Sequence, residues 1–131
     1  MQYVLVKITS VVAAMACHWA LTGMAFAEGD VVAGEQVFQR CASCHTVMDN
    51  TNKKGPSLRG IVGRPAASVV GFSYSDGLRA FGASGAAWDE ATLDKFLQDT
   101  IGFVKGMRMV ITPVRREADR MNLIAFLKTK S

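Results

Sequence analysis

Residues 41–45 of this 131-residue chain read Cys-Ala-Ser-Cys-His. Two thiols three positions apart on one helical turn lie on the same side of the backbone. The histidine that follows the second cysteine places an imidazole next to them. The spacing therefore indicates that one ligand is shared by Cys41, Cys44 and His45. Cys-x-x-Cys-His is the attachment signature of c-type haem, whose two vinyl groups can each take up one thiol. The motif predicts one covalent haem c, with its iron bound by His45.

Other uses of paired cysteines find less support in this sequence. A dithiol redox pair belongs to a thioredoxin-like βαβ unit, and the chain has no strand pattern of that kind. A structural zinc site takes four ligands, commonly as two pairs. After residue 27, however, the chain contains two cysteines and one histidine. No phosphate-binding loop, HExxH pair or GxSxG turn is present, so those enzyme classes have no motif in their favour.

A helical pattern precedes the motif. Asp30 is placed to cap a first helix, and Gly34, Phe38 and Cys41 then fall on one helical face. The motif is therefore expected at the carboxyl end of this helix.

Turns and two more helices are predicted after the motif. Residues 46–87 are rich in Gly, Ser, Pro and Asn without a period of 3.6 or 2, which predicts a series of turns. Asp89 and Glu90 are favourably placed at the positive end of a second helix. Residues 100–111 are irregular, and a Thr-Pro pair at 112–113 predicts the start of a third helix. The predicted apolar face of the second helix consists of Leu93, Phe96 and Leu97. That of the third helix consists of Val114, Ala118, Met121 and Ala125, and it is widened by Leu123, Phe126 and Leu127.

The composition is that of one small globular domain. The length fits a single domain, and 8% aromatic with 20% charged residues excludes general disorder. The formal charge of +4 is modest, and basic and aromatic residues do not alternate, so nucleic acid is not an expected partner. The expected fold is all-α, with three main helices and long loops wrapped around a covalently bound haem.

Residues 1–27 have the features of a secretory signal peptide. Lys7 is the one charged residue among them, and a small-x-small site lies at residues 25–27. Cleavage there would leave residues 28–131 as a domain in the periplasm. The run 8–27 is also long enough to span a bilayer, so an uncleaved membrane anchor is the alternative.

The residues themselves leave two methionines as candidates for the second axial ligand of the iron. His18 is lost with the signal peptide, so a second histidine is excluded. Met48 is too close to the motif to reach the other side of a haem, and Met121 lies on a predicted helical stripe, where methionine usually serves packing. Met107 and Met109 remain, both in the loop before the third helix, and spacing alone does not separate them.

Further motifs occur in the order found in class I cytochromes c. They are Gly34 with Phe38, the motif 41–45, the segments 54–64 and 71–76, Trp88, and the segments 106–109 and 119–128. Over residues 29–128 the chain resembles the class I cytochromes c of the mitochondrial and bacterial c2 type. The resemblance implies a one-electron carrier, not an enzyme, that shuttles electrons between periplasmic or membrane redox partners.

The resemblance also implies roles for single residues. It makes Met109 the axial ligand that accompanies His45, and Met107 a bystander. It implies that the carbonyl of Pro56 accepts a hydrogen bond from the ring N–H of His45 that faces away from the iron, which fixes the tautomer of the imidazole. The residues implied to pack on the haem and hold its propionates are Arg64, Tyr74 and Trp88.

The chain departs from the family pattern near the iron. Phe96 stands where the family often has a tyrosine that bonds the methionine sulfur, Met107 replaces a threonine, and Lys105 replaces a proline. These departures predict a distal loop that exchanges its ligand more readily. They also keep a second hypothesis open, a haem that binds gases or peroxide, although no distal histidine is available for acid–base work.

Four basic residues are candidates for a docking surface: Lys53, Lys54, Lys105 and Arg108. On sequence grounds they form either a solvated face or a ring around the exposed haem edge that steers acidic partners. We expect a monomer that meets redox proteins with acidic docking surfaces, and that contacts a membrane through residues 1–27 if these are retained. The sequence names neither the electron donor nor the acceptor.

Overall fold

The computed structural model describes residues 28–131, and these form five α-helices joined by loops. The helices are α1 (Val31–Phe38), α2 (Asp76–Ala83), α3 (Glu90–Gln98), α4 (Thr100–Phe103) and α5 (Glu117–Lys128). Pairing of β type within this range is limited to one isolated antiparallel bridge, between Pro65 and Ala87. The all-α prediction is therefore confirmed, with α1, α3 and α5 as the three predicted helices. The predicted signal segment, residues 1–27, lies outside the described residues.

Helix α1 begins where the sequence predicted and crosses α5 closely. The Asp30 carboxylate caps it by accepting two first-turn N–H groups at 2.8 and 3.0 Å. At Gly34 the two helices touch, because a Cβ there would overlap the carbonyl oxygen of Asn122. The Phe38 ring packs on Phe126 with centroids 5.4 Å apart. This pair of helices is the frame from which residues 41–45 continue.

Helix α3 also forms as predicted. The Asp89 carboxylate accepts the N–H of Thr92 at 2.7 Å and caps the helix. Leu93, Phe96 and Leu97 are buried, which confirms the predicted stripe, and α3 packs against α5.

Helix α5 begins at Glu117, so the predicted start at 112–113 is wrong. The carbonyls of Val114 and Arg115 accept hydrogen bonds from the Arg120 side chain at 3.0 and 2.8 Å. A helix beginning at 113 would need these carbonyls for its own backbone bonds. The tertiary hydrogen bonds of Arg120 therefore override the local helix-start signal.

The predicted face of this third helix is right only in part: Leu123, Phe126 and Leu127 are buried as predicted, whereas Met121 and Ala125 are only partly buried. Ala118 is exposed, and the buried positions are Arg120, Leu123, Ile124, Phe126 and Leu127. An arginine with internal partners shares the buried face, so the apolar pattern alone does not mark that face.

Helices α2 and α4 were not predicted. Within the stretch 46–87, the Ser75 hydroxyl accepts the N–H of Leu78 at 3.3 Å and caps α2. Leu78 and Phe81, three residues apart, pack against the core from this helix. A capping serine followed by two apolar residues at that spacing was the local signal for α2. Helix α4 is one turn, capped by Asp99.

Across residues 28–131, no helix combines the length and the apolar character that a membrane crossing requires.

Candidate functional site

A cavity of about 700 Å³ opens beside the Cys-x-x-Cys-His motif. Helices α1, α3 and α5 and the intervening loops all contribute to its walls. Apolar residues on these walls include Phe38, Ile61, Leu93, Leu97, Leu123 and Leu127. Its volume falls within the range of sites that hold small molecules and cofactors.

The motif lines this cavity because the chain keeps turning after α1. The N–H of Cys41 donates to the carbonyl of Phe38 at 2.7 Å, and those of Cys44 and His45 donate to the carbonyl of Cys41 at 3.0 and 2.9 Å. These turns bring both thiols and the imidazole to one cavity. The structure therefore places the three predicted residues together.

The His45 ring is held in one tautomer. Its Nδ1 lies 2.7 Å from the carbonyl oxygen of Pro56, and because a carbonyl can only accept, Nδ1 carries the hydrogen. Burial lowers the pKa of His45, while the bond to Pro56 acts in the opposite direction. The imidazole is thus neutral at pH 7, with the Nε2 lone pair available to a metal ion.

Gly55 is a site residue that the sequence analysis did not single out. A Cβ at this position would overlap the His45 ring. The glycine is needed so that the backbone can pass against the imidazole. The sequence signal was a Lys-Gly-Pro turn, which does not reveal the packing partner.

The Cys41 thiol does not have the environment of a reactive redox cysteine. Burial raises the pKa of the Cys41 thiol, and the neighbouring Arg40 opposes this in part. Reactive Cys-x-x-Cys pairs instead have a lowered pKa. In the part of the chain that is described, no three His, Cys, Asp or Glu side chains converge on a metal position, which argues against zinc.

Two methionines reach the same cavity from the segment after α4. Met107 and Met109 both line it and pack against the core. The residues that follow each of them lie at the edge of the cavity and are more exposed: Arg108 is exposed, and Val110 is 91% exposed. Such alternation is typical of extended backbone, where every second side chain lies on one face.

The other candidate methionines lie elsewhere. Met48 is 76% exposed, and Met121 is not among the residues that line the cavity. The structure therefore brings together with His45 the two sulfur donors that the sequence left open.

One backbone hydrogen bond joins Arg64 and Trp88. The N–H of Trp88 donates to the carbonyl of Arg64 at 2.9 Å, next to the bridge between Pro65 and Ala87. The Arg64 guanidinium donates to the carbonyl of Ser57 at 2.9 Å. Burial lowers the pKa of Arg64, yet a guanidinium remains charged at neutral pH. The positive charge of Arg64 on the wall of an apolar cavity can bind a carboxylate.

Tyr74 and Trp88 complete the predicted set. The Tyr74 hydroxyl oxygen accepts the N–H of Val69 at 3.2 Å, so its own hydrogen is free to donate. Trp88 is buried between Phe81 and Phe96, with centroids 5.5 and 4.9 Å away. Arg64, Tyr74 and Trp88 all line the cavity that holds the motif.

The loop that contains Met107 and Met109 packs closely against the start of α2. At Gly77, the second residue of α2, a Cβ would overlap the carbonyl oxygen of Lys105. Gly106 has a φ of +76°, which favours glycine. The sequence marks Gly106 as a turn residue, but nothing local connects it with Gly77.

Comparison with known proteins agrees with these features. Residues 31–131 match the family model of cytochrome c. The chain is similar to cytochrome c2 of Rhodomicrobium vannielii, with 42% identity over 126 residues that cover 95% of each chain. Among solved structures it is similar to cytochrome cH from Methylobacterium extorquens, at a TM-score of 0.71 and 38% identity over 78% of this chain and 100% of that one. It is also similar to cytochrome c2 from Rhodospirillum centenum, at a TM-score of 0.75 and 30% identity over 79% of this chain and 99% of that one.

The family match covers the helices, the motif and every residue that lines the cavity. The chain therefore belongs to the cytochrome c family: it is an electron-transfer protein, not an enzyme, that carries one covalently attached haem c and exchanges electrons with other redox proteins.

Proposed function

We propose that the protein shuttles single electrons in the periplasm, with the haem joined to Cys41 and Cys44 and the iron held by His45 and Met109. The observation that carries the proposal is the apolar cavity lined at once by the two thiols, the imidazole and the Met109 side chain. These are the donors that covalent attachment and His/Met ligation require.

The chain's own residues supply attachment and iron ligation. Cys41 and Cys44 would each add a sulfur and a hydrogen across one vinyl double bond, so that no atom leaves and no oxidant is needed. When bound, haem supplies an iron that gains and loses one electron. His45 offers its Nε2 lone pair in an orientation fixed by Pro56. The neutral thioether of Met109 would raise the reduction potential.

The walls of the cavity have separate tasks. Apolar side chains exclude water and disfavour the more highly charged oxidised state. Arg64, Tyr74 and Trp88 would hold the propionates, since a carboxylate without partners is costly in such surroundings.

The peroxidase alternative has less support. Apart from His45, the described residues that line the cavity include no histidine, so no second imidazole can serve as an acid–base group on peroxide.

Residues 1–27 are proposed as an export signal cleaved after Ala27. In the described part of the chain, Asp30 caps α1 and Gly29 contacts the backbone of Met121, close to the proposed cleavage point. Cleavage at this point leaves both of them intact, which supports the proposed boundary.

Mass spectrometry and one absorption spectrum test this function. We expect purified protein from a host that exports it and attaches haem to have the mass of residues 28–131 plus one intact haem. The ferric protein should show the long-wavelength band of thioether–iron ligation. A colourless product with free or bridged cysteines would contradict haem attachment. A coloured product without that band would contradict methionine ligation and favour the open-haem alternative.

We also propose that the partners dock through acidic surfaces. Lys54 and Arg108 line the cavity and are exposed, and Lys53 and Lys105 lie exposed beside them in sequence. Among residues 28–131, none of these four side chains takes part in an ion pair. Uncompensated positive charge at the edge of the cavity supports attraction of acidic proteins.

The salt dependence of electron transfer tests this docking surface. With an acidic redox protein as acceptor, we expect the second-order rate to fall as ionic strength rises. At low salt, Lys54→Gln should slow the reaction about twofold and flatten its salt dependence. Lys95→Gln is the matched control, because Lys95 is exposed on α3 and does not line the cavity. A flat response in the unmodified protein, or an equal effect of Lys95→Gln, would remove the steering role.

A further inference from the structure

We propose that Met107 is a second iron-ligating methionine, which takes the axial position whenever Met109 leaves it. The inference rests on the proposed function, in which His45 and Met109 hold the iron. It gives Met107 a role in ligand exchange, where the family resemblance implies a bystander.

The two sulfur side chains lie on the same face of one segment. Met107 and Met109 are both partly buried and pack against the core, whereas the residues that follow each of them, Arg108 and Val110, are exposed at the edge of the cavity. In extended backbone, residues two apart lie about 7 Å from each other with parallel side chains. Methionine is unbranched and has three rotatable bonds, so its sulfur can cover part of such a distance by changing rotamers.

The backbone of this segment has few bonds to break. Backbone pairing is present at its two ends, where Met107 N–H donates to the carbonyl of Val104 at 3.2 Å and Val114 N–H donates to that of Leu97 at 2.9 Å. Within the described part of the chain, residues 108–113 make no backbone–backbone hydrogen bond. A shift that exchanges the two methionines would therefore disrupt no helix and no ladder.

Side-chain bonds anchor the segment at two points without involving the methionines. Arg108 donates to the carbonyl of Ser73 at 2.6 Å, and Arg40 donates to the carbonyl of Thr112 at 3.0 Å. In contrast, neither methionine sulfur accepts a hydrogen bond from any described residue. The phenyl ring of Phe96, which also lines the cavity, has no donor to offer. Among residues 28–131, no hydrogen-bond donor therefore favours the Met109 sulfur over that of Met107.

Other donors in the segment are less suitable replacements. Arg108 cannot lose its proton under ordinary conditions, and Lys105 is exposed and does not line the cavity. Met107 supplies the same neutral thioether as Met109, so exchange would preserve the His/Met ligand set.

The test compares holoproteins in which leucine replaces methionine, because leucine has a similar volume and no sulfur. We expect Met107→Leu to keep the thioether–iron band of the ferric protein. Met109→Leu should retain this band at reduced amplitude, and the double variant Met107→Leu/Met109→Leu should lose it completely. Met109→Leu/Met121→Leu is the matched control and should keep the band, since Met121 does not line the cavity.

Binding of added imidazole gives a second readout, because it competes with the internal ligand. We expect the affinity of Met109→Leu for imidazole to rise about tenfold and that of the double variant about a hundredfold above the unmodified protein. Thermal unfolding of each variant establishes that it remains folded.

Three outcomes would overturn the inference while the unmodified protein retains its band and supports the proposed function. Met109→Leu could lose the band as fully as the double variant, or bind imidazole equally well, or acquire nitrogen ligation from Lys105. A band lost in Met107→Leu but kept in Met109→Leu would overturn both the inference and the proposed ligand. Absence of the band in the unmodified protein would contradict the proposed function itself.

Discussion

Without attached haem, the protein should lose its cooperative fold. We expect this of Cys41→Ser/Cys44→Ser protein prepared free of haem, because a cavity of about 700 Å³ lies between its main helices. Without haem, the apolar side chains on its walls would face water, at a cost of about 1.5–3 kcal/mol for each one that becomes fully exposed. The whole stability of a small domain is about 5–15 kcal/mol. Near-ultraviolet circular dichroism and thermal unfolding measure the loss.

Ser43→Ala is the control for this experiment. Ser43 is exposed between the two cysteines, and its substitution leaves both thiols in place. This variant should attach haem and unfold cooperatively like the unmodified protein. A sharp thermal transition in the haem-free cysteine variant would show that the helices pack without the haem, contrary to the prediction.

Arg120→Met should be the most destabilising single substitution at the α3–α5 contact. Arg120 is 5% exposed; its Nε donates to the Asp94 carboxylate at 2.6 Å, and its Nη1 donates to the carbonyls of Val114 and Arg115. Removal of one partner from a buried pair costs about 3–5 kcal/mol. We expect the lower end of that range, because water can reach Asp94, which is partly exposed. At about 4 °C or more per kcal/mol, the midpoint of thermal unfolding should fall by at least ~12 °C.

Two further variants separate the buried arginine from ordinary surface charge. Arg116→Met removes an arginine four residues earlier, whose side chain is 80% exposed and lies 3.9 Å from Asp119. Its effect should stay within about 0.5 kcal/mol. Arg120→Lys should recover part of the stability, since it keeps the charge but loses the planar fork of donors. If Arg120→Met and Arg116→Met destabilise equally, the network around Arg120 is not important for stability.

The parts of the fold predicted correctly are those governed by neighbours in sequence. Asp30 and Asp89 cap their helices through N–H groups two or three residues ahead, and such bonds form wherever the chain begins a helix. The cap by Ser75 is of the same local kind, so α2 could have been predicted as well. It was missed because the glycine-rich composition around it masked the apolar spacing.

The features that were predicted wrongly or missed depend on contacts between residues distant in sequence. The Thr-Pro start signal at 112–113 is overridden because the Arg120 side chain binds the carbonyls of Val114 and Arg115, which a longer helix would use. Gly55 is needed for the passage of the backbone against His45, and Gly77 for its contact with Lys105. A glycine in sequence shows that space is required but not which neighbour requires it.

By itself, the sequence determined the chemistry of this protein, because the donors for haem are adjacent in the chain: two thiols and an imidazole within residues 41–45. Tertiary structure alone decided what surrounds those donors. It orients His45 through Pro56, places Arg64 and Trp88 side by side, and brings both Met107 and Met109 to the cavity. The physical reason is that covalent spacing is fixed by the order of residues, whereas contacts across the cavity exist only once the loops have closed around it.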